Sequence, residues 1–249
     1  MIYTLDIGNT RTKLAMFENN SLLKTEYLVT KNLKEELLFF FKNFQIKPKI
    51  ILASVVHLDS MLLEWLQEYT DFIQVNHTTP LPLINKYETP HTLGIDRLVV
   101  AAGSTIVYPN TARLIIDAGT CITYDFVNAK NEYLGGAISP GLQLRYKALN
   151  EYTDKLPYLQ TEEIDYFIGQ NTNQSIQSGV INGIVAEIDN IIDRYKKDYP
   201  DLTIILTGGD TVFLAKRLKN IIFATPNFLS ESLNYIYQYI IENDKKNHS

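Results

Sequence analysis

The run Asp6-Ile7-Gly8-Asn9-Thr10-Arg11-Thr12-Lys13 sets a carboxylate, a glycine turn, threonine hydroxyls and an ammonium side by side. A looser version recurs at Asp117-Ala118-Gly119-Thr120. Each follows a short apolar run, residues 2–5 and 114–116, and each leads back into another, residues 14–17 and 122–127. That is strand, tight turn, strand, twice. A glycine turn lets the backbone approach a ligand closely, and its N–H groups can cradle an anion. The hydroxyls and Lys13 suit phosphate, and the two aspartates suit a cation that travels with phosphate. Two such hairpins facing each other across a cleft would grip one nucleotide from both sides. One Asp-x-Gly alone is a common turn, whose bland reading is a hairpin with an Asx-type bend. The repetition in each half and the hydroxyl and lysine content favour the phosphate reading.

Three further segments could carry chemistry. Leu93-Gly94-Ile95-Asp96-Arg97-Leu98 opens an apolar helix, whose free N–H groups and positive dipole end suit anions. Asp96 has two readings. It is a helix-start carboxylate paired with Arg97 or the dipole, or a general base that takes a proton from a hydroxyl attacking a phosphoryl group. In the second reading Arg97 holds a carboxylate or phosphate through its fork. Gly135-Gly136-Ala137-Ile138-Ser139-Pro140-Gly141 reads as a rigid exposed loop, either a plain turn or a pocket wall. Thr207-Gly208-Gly209-Asp210 lies at a strand end before a helix, where open α/β sheets bind ligands, although any turn looks similar.

The elements that must position these residues follow from periodicity. Strands are expected at 2–6, 12–17, 24–29, 50–56, 72–75, 203–206 and 221–225. Helices are expected at 32–44, from an Asp59 cap to about 69, at 95–107, 175–195, from 210 to about 218, and 230–242. Residues 79–90 hold three prolines and read as a loop. Tyr108-Pro109-Asn110-Thr111 is the best boundary, giving subdomains 1–112 and 113–249. Strand–helix alternation in both halves means mixed α/β sheets covered by helices.

Composition narrows the function classes. A formal net charge of −5 argues against a nucleic-acid surface, because phosphate backbones select for basic stripes. A single cysteine, Cys121, cannot form an intrachain disulfide and fits a reducing, cytoplasmic setting. Residues 2–6 read as a strand rather than a signal segment, so no secretory signal is expected. No apolar run reaches the length of a membrane span. The histidines at 57, 77, 91 and 248 are scattered without metal-ligand spacing.

The ordered set Asp6-x-Gly8-Asn9-Thr10-x-x-Lys13, Tyr87-x-x-Pro90-x-x-Leu93-Gly94-x-Asp96-Arg97, Asp117-x-Gly119-Thr120, Gly135-Gly136-x-Ile138-x-Pro140-Gly141, Asn171-Thr172 and Thr207-Gly208-Gly209-Asp210 resembles type III pantothenate kinase over nearly the whole chain. The resemblance implies the acetate and sugar kinase/Hsp70/actin fold, with duplicated actin-like (RNase H-like) subdomains and a central ATP cleft. It implies ATP-dependent phosphorylation of pantothenate to 4′-phosphopantothenate, the first step of coenzyme A synthesis. Asp6, Ile7, Gly8, Asn9, Thr10, Arg11, Thr12 and Lys13 match the first ATP phosphate loop, and Thr120 the second ATP contact. Asp117 matches the ligand of a monovalent cation, potassium or ammonium, and magnesium accompanies ATP. Tyr87, Gly94, Ile95, Asp96, Arg97 and Thr172 match the pantothenate-binding positions, with Asp96 as proton acceptor. A homodimer is implied. Cys121 stands where that family often carries alanine. Two other readings stay open: a non-catalytic regulator on this fold, and a kinase of the same fold acting on a sugar or another small metabolite.

Overall fold

The computed structural model describes residues 1–42 and 45–247. The expected helix end at Phe44 and the histidine at 248 lie outside the described residues. The chain forms two compact units. Unit 1 holds residues 1–109, Asn131–Tyr133 and the chain from Asn227. Unit 2 holds Asn110–Lys130 and Leu134–Pro226.

In unit 1, β1 (Ile2–Ile7), β2 (Arg11–Glu18) and β3 (Ser21–Val29) form an antiparallel meander. β4 (Lys49–Ser54) and β5 (Asp71–Gln74) add to the other side of β1 in parallel, giving the order β3-β2-β1-β4-β5. Alternation along β1 decides what each face does. Tyr3, Leu5 and Ile7 enter an apolar cluster with Leu33, Leu37 and Phe41 of α1 (Leu33–Phe41) and Leu62, Trp65 and Leu66 of α2 (Ser60–Tyr69). Each such buried side chain contributes roughly 1.5–3 kcal/mol. Asp59 caps α2, accepting from the N–H groups of Met61 and Leu62. The alternate residues Thr4 and Asp6 fall on the other face, where α3 (Ile95–Val107) and α7 (Phe228–Asn247) pack on β1 and β4. A short β6 (Ile84–Asn85) pairs in parallel with residues 132–133.

Unit 2 repeats the plan. β7 (Arg113–Ala118) pairs antiparallel with β8 (Cys121–Val127), which neighbours β9 (Glu132–Pro140). β10 (Thr203–Thr207) and β11 (Phe223–Ala224) run parallel on the far side of β7. The order β9-β8-β7-β10-β11 matches that of unit 1 position for position. The long α5 (Thr172–Asp198) lays Val180, Ile184, Ile188 and Ile192 on this sheet, with Leu142 and Tyr146 of α4 (Leu142–Glu151) beside them. A five-residue α6 (Thr211–Ala215) follows β10.

Three expectations need correction. The segment 135–141, read as an exposed loop, is mostly strand β9, because its glycines let it lie against β8: a Cβ on Gly136 would come within 1.6 Å of the Tyr124 carbonyl oxygen. The helix after Asp210 ends at Ala215 rather than near 218. The final helix, placed with residues 113–249, belongs to unit 1, because its buried face (Leu233 and Ile236 among it) packs on α3 and β1. Among the described residues no helix is long and apolar enough to cross a membrane.

Candidate active site

The β1–β2 hairpin of unit 1 turns through only Gly8, Asn9 and Thr10. Gly8 N–H donates to the Arg11 carbonyl at 3.2 Å, and Thr30 fastens the turn from outside, its hydroxyl donating to the Gly8 carbonyl at 2.9 Å. Asn9, Thr10 and Arg11 are left exposed. Ile7 and Thr12 are wholly buried, Thr12 against the Thr30 hydroxyl at 3.0 Å, and both lie in strand pairings on either side of the hairpin, so these two shape the turn from behind. Asp6 and Lys13 are opposite each other in the strand pairing and share a face.

Two helix starts, those of α3 and α7, bring carboxylates to that pair. Burial and then the charge of Asp96 push the Asp6 carboxyl up from 3.8 to about 6, against the opposing pull of Lys13. Asp96 sits in the first turn of α3, where its Oδ1 accepts from the Arg97 N–H at 2.8 Å. Gly94 makes this possible: a Cβ there would meet Asp96 Oδ1 at 2.4 Å. Arg97 is almost fully buried, with its guanidinium carbon 6.0 Å from the centre of the Tyr87 ring. Tyr87 in turn lies 6.1 Å from the Tyr133 ring. The structure thus brings Asp6, Lys13 and Asp96 into electrostatic contact and sets Tyr87 on Arg97. Glu231, in the first turn of α7, belongs to the same field. Burial raises its carboxyl and Lys13 opposes that, while Glu231 in turn raises Tyr108 and Tyr235, whose shifts come first from burial. No motif marks Glu231; more than two hundred residues separate it from Lys13, and only the helix packing of unit 1 joins them.

In unit 2 the turn between β7 and β8 is Gly119-Thr120, with Thr120 and Cys121 exposed. Asp117, at the end of β7, pairs across the hairpin with Thr123. Gly208 passes Asp117 with a φ of +94°, a conformation that suits glycine, and a Cβ there would come 2.4 Å from Asp117 Oδ1 and 2.5 Å from the Ala118 carbonyl oxygen. The Asp117 carboxylate and the Ala118 carbonyl oxygen, which accepts from the Asp210 N–H at 3.0 Å, thus both lie close to Gly208. Among the described residues no group of three or more His, Cys, Asp or Glu is placed to hold a metal ion. Thr172 is the exposed first residue of α5, next to Asn171, whose side chain caps the helix by accepting from Gln174 N–H at 3.0 Å. It lines a cavity of about 900 Å³ between α4 and α5.

Gly141 locks the second turn. Its N–H donates to the Thr120 carbonyl at 3.0 Å, and a Cβ would come 2.2 Å from the Gly119 carbonyl oxygen and 2.6 Å from that of Thr120. Gly141→Ala is expected to cost about 1–3 kcal/mol, the usual scale for forcing a methyl into packed structure. The urea midpoint of the variant measures it; an unchanged midpoint contradicts the close approach.

The sequence profile of the type III pantothenate kinase family matches residues 2–194. A type III pantothenate kinase of Flavobacterium johnsoniae is 48% identical over 244 residues, covering 98% of this chain and all of the relative. One from Phocaeicola vulgatus is 39% identical over 242 residues, 97% of this chain and 98% of the relative. Among solved structures, a Campylobacter jejuni protein described as a Baf family transcriptional activator superposes with a TM-score of 0.63 at 23% identity, over 96% of this chain and 99% of its own. A ROK family protein from Streptococcus pneumoniae, in complex with sucrose, gives 0.53 at 11% identity over 98% and 99%. These two likenesses are of fold, and they agree with the repeated strand order in placing the chain in the duplicated actin-like class. The full-length similarity settles the membership: the chain belongs to the type III pantothenate kinase family.

Proposed function

We propose that this chain transfers the γ-phosphoryl group of ATP to the primary hydroxyl of pantothenate, giving 4′-phosphopantothenate and ADP in coenzyme A synthesis. The substrate follows from the near-complete match to relatives named for that activity. The observation that carries the mechanism is the pair of carboxylates Asp6 and Asp96, held within each other's field beside Lys13 and the Gly8–Asn9–Thr10 turn.

Roles follow from that arrangement. Residues 6–13 bind the ATP phosphates through exposed turn groups and the Lys13 ammonium, with Ile7 and Thr12 holding the turn in the sheet. Thr120 is a second contact to ATP, from unit 2. Asp96 accepts the hydroxyl proton as the pantothenate oxygen bonds to the γ-phosphorus and the bond to the ADP oxygen breaks. Its place at a helix start leaves the carboxylate close to solvent and substrate while the Arg97 N–H fixes its direction. Arg97, stacked on Tyr87, binds the pantothenate carboxylate; Gly94, Ile95 and Thr172 complete the substrate contacts. Asp6 would hold a divalent cation bound with ATP, which would supply charge neutralisation at the phosphates; a carboxyl raised to about 6 by burial and a neighbouring anion is the group a cation would relieve. Asp117 would be the ligand of a monovalent cation, which would offset further negative charge; its carboxylate lies beside Gly208. The active form is a homodimer in the cytoplasm. Most of the rate acceleration then comes from positioning and electrostatics.

The test is ADP release from purified protein with ATP, magnesium and pantothenate, in potassium against sodium, with the product identified by mass. Turnover that depends on pantothenate and rises in potassium is expected. Folded, ATP-binding protein that turns over a sugar faster than pantothenate, or turns over nothing, overturns the substrate assignment.

A further inference from the structure

One charged cluster of unit 2 belongs to none of the motifs. Arg145, in the first turn of α4, makes three contacts. Its Nε donates to the Pro140 carbonyl at 2.8 Å, and its Nη2 donates to the Ser139 hydroxyl at 3.1 Å and to Glu187 Oε2 on α5 at 2.5 Å. The other oxygen of Glu187 accepts from the hydroxyl of Tyr124, itself 1% exposed in β8, at 2.9 Å. Burial alone would raise the Glu187 carboxyl; the hydrogen bonds from Arg145, Ser139 and Tyr124 outweigh it and hold the group below its ordinary value. The ionised form of Glu187 is thus favoured, and Arg145 has a fixed partner.

What this cluster grips is the chain immediately before Gly141. Ser139 and Pro140 are tied to α4 and α5 from one side, and Gly141 is tied on the other to the backbone of Gly119 and Thr120. A rigid line of contacts thus runs from Glu187 through Arg145 and Pro140 to the Thr120 turn. A planar guanidinium that bonds a carbonyl and a carboxylate at once fixes both in angle as well as distance.

We propose that Arg145 and Glu187 are positioning residues for the Thr120 turn, setting the affinity for ATP without touching it. The proposal rests on Thr120 being a contact to ATP. Because catalytic geometry tolerates little displacement, loss of the pair is expected to raise KM for ATP about tenfold, with KM for pantothenate changed less than about twofold. Arg145→Ala and the milder Glu187→Gln both test it, and Arg145→Lys should restore only part of the affinity, since an ammonium lacks the guanidinium's fork. KM values for both substrates are measured on each variant alongside its urea midpoint and the ATP Kd by calorimetry. A lowered midpoint with unchanged KM for ATP in both Arg145→Ala and Glu187→Gln reduces the pair to a brace of the fold and overturns the proposal. A raised KM for pantothenate alone also overturns it, by making Arg145 a substrate contact. Thr120→Ala separates the two layers: unchanged KM for ATP there sinks the underlying reading, whereas a raised value there, with none in the pair variants, sinks the positioning role alone.

Discussion

Asp96→Asn lowers kcat by about a hundredfold or more, the usual scale for a lost general base, while ATP still binds. This substitution is clean for a structural reason. The Asp96 Oδ1 accepts a hydrogen bond from the Arg97 N–H, and an asparagine carbonyl accepts the same bond. The helix start and the packing over Gly94 therefore survive, and what is removed is the charge and basicity of the carboxylate. The bland reading, a carboxylate that only starts a helix, predicts something different: a small change in stability and no specific loss of turnover. Measuring kcat, ATP affinity and the urea midpoint together separates the two. Near wild-type kcat in a folded variant removes Asp96 from the proton-acceptor role. Because the Asp96 charge also helps to raise the Asp6 carboxyl, the variant should carry a second signature, an Asp6 that titrates lower than in the parent.

Much of this site was legible in the sequence because its residues are local. The turn at Gly8 and the turn at Gly119 each come from contiguous residues whose strand–turn–strand pattern needs no tertiary information. The same holds for the Asp59 cap and for the α5 stripe of Val180, Ile184, Ile188 and Ile192, where helical spacing names the buried face directly. What sequence reading misses is decided across distance. Residues 132–140 carry three features that signal a loop (two glycines and a proline), and they become a strand only because β8 is there to be approached closely. Residues 142–151 have weak amphipathic character, so periodicity alone does not mark α4. Glu231, Arg145 and Glu187 are ordinary surface-type residues by position in the chain. Their meaning comes from α7 packing in unit 1 and from α4 meeting α5 in unit 2. The division of the chain fails at its end for the same reason: nothing local in residues 228–247 says which sheet they will cover.

Asp6→Asn is expected to abolish turnover and, without ligand, to stabilise the protein at neutral pH. The second effect follows from linkage. The folded protein holds the Asp6 carboxyl at about 6, above its ordinary 3.8, so the folded state binds that proton more tightly than the unfolded chain does. Stability from this group is therefore intact below about pH 4, declines as pH rises toward 6, and stays reduced above it. At roughly 1.4 kcal/mol for each unit of displacement, the deficit at neutral pH is about 2–3 kcal/mol. Asparagine carries no charge to bury and faces Asp96 without repulsion, so the deficit disappears, while Lys13 keeps the company of Glu231. Ligand-free unfolding of both proteins from pH 4 to 8 should show midpoints that nearly coincide at pH 4 and separate in favour of the variant by pH 7.5. A variant no more stable than the parent at pH 7.5 contradicts the raised carboxyl. The same argument gives binding a proton signature. Near pH 6 a part of the Asp6 population is protonated, and a cation arriving with ATP favours the carboxylate, so binding releases protons there and almost none at pH 8. Calorimetry in buffers of different ionisation enthalpy measures that release, and its absence in Asp6→Asn would assign it to this residue. A site that is strained when empty and relieved by its ligand spends fold stability on affinity, and the raised Asp6 carboxyl is where this chain would do so.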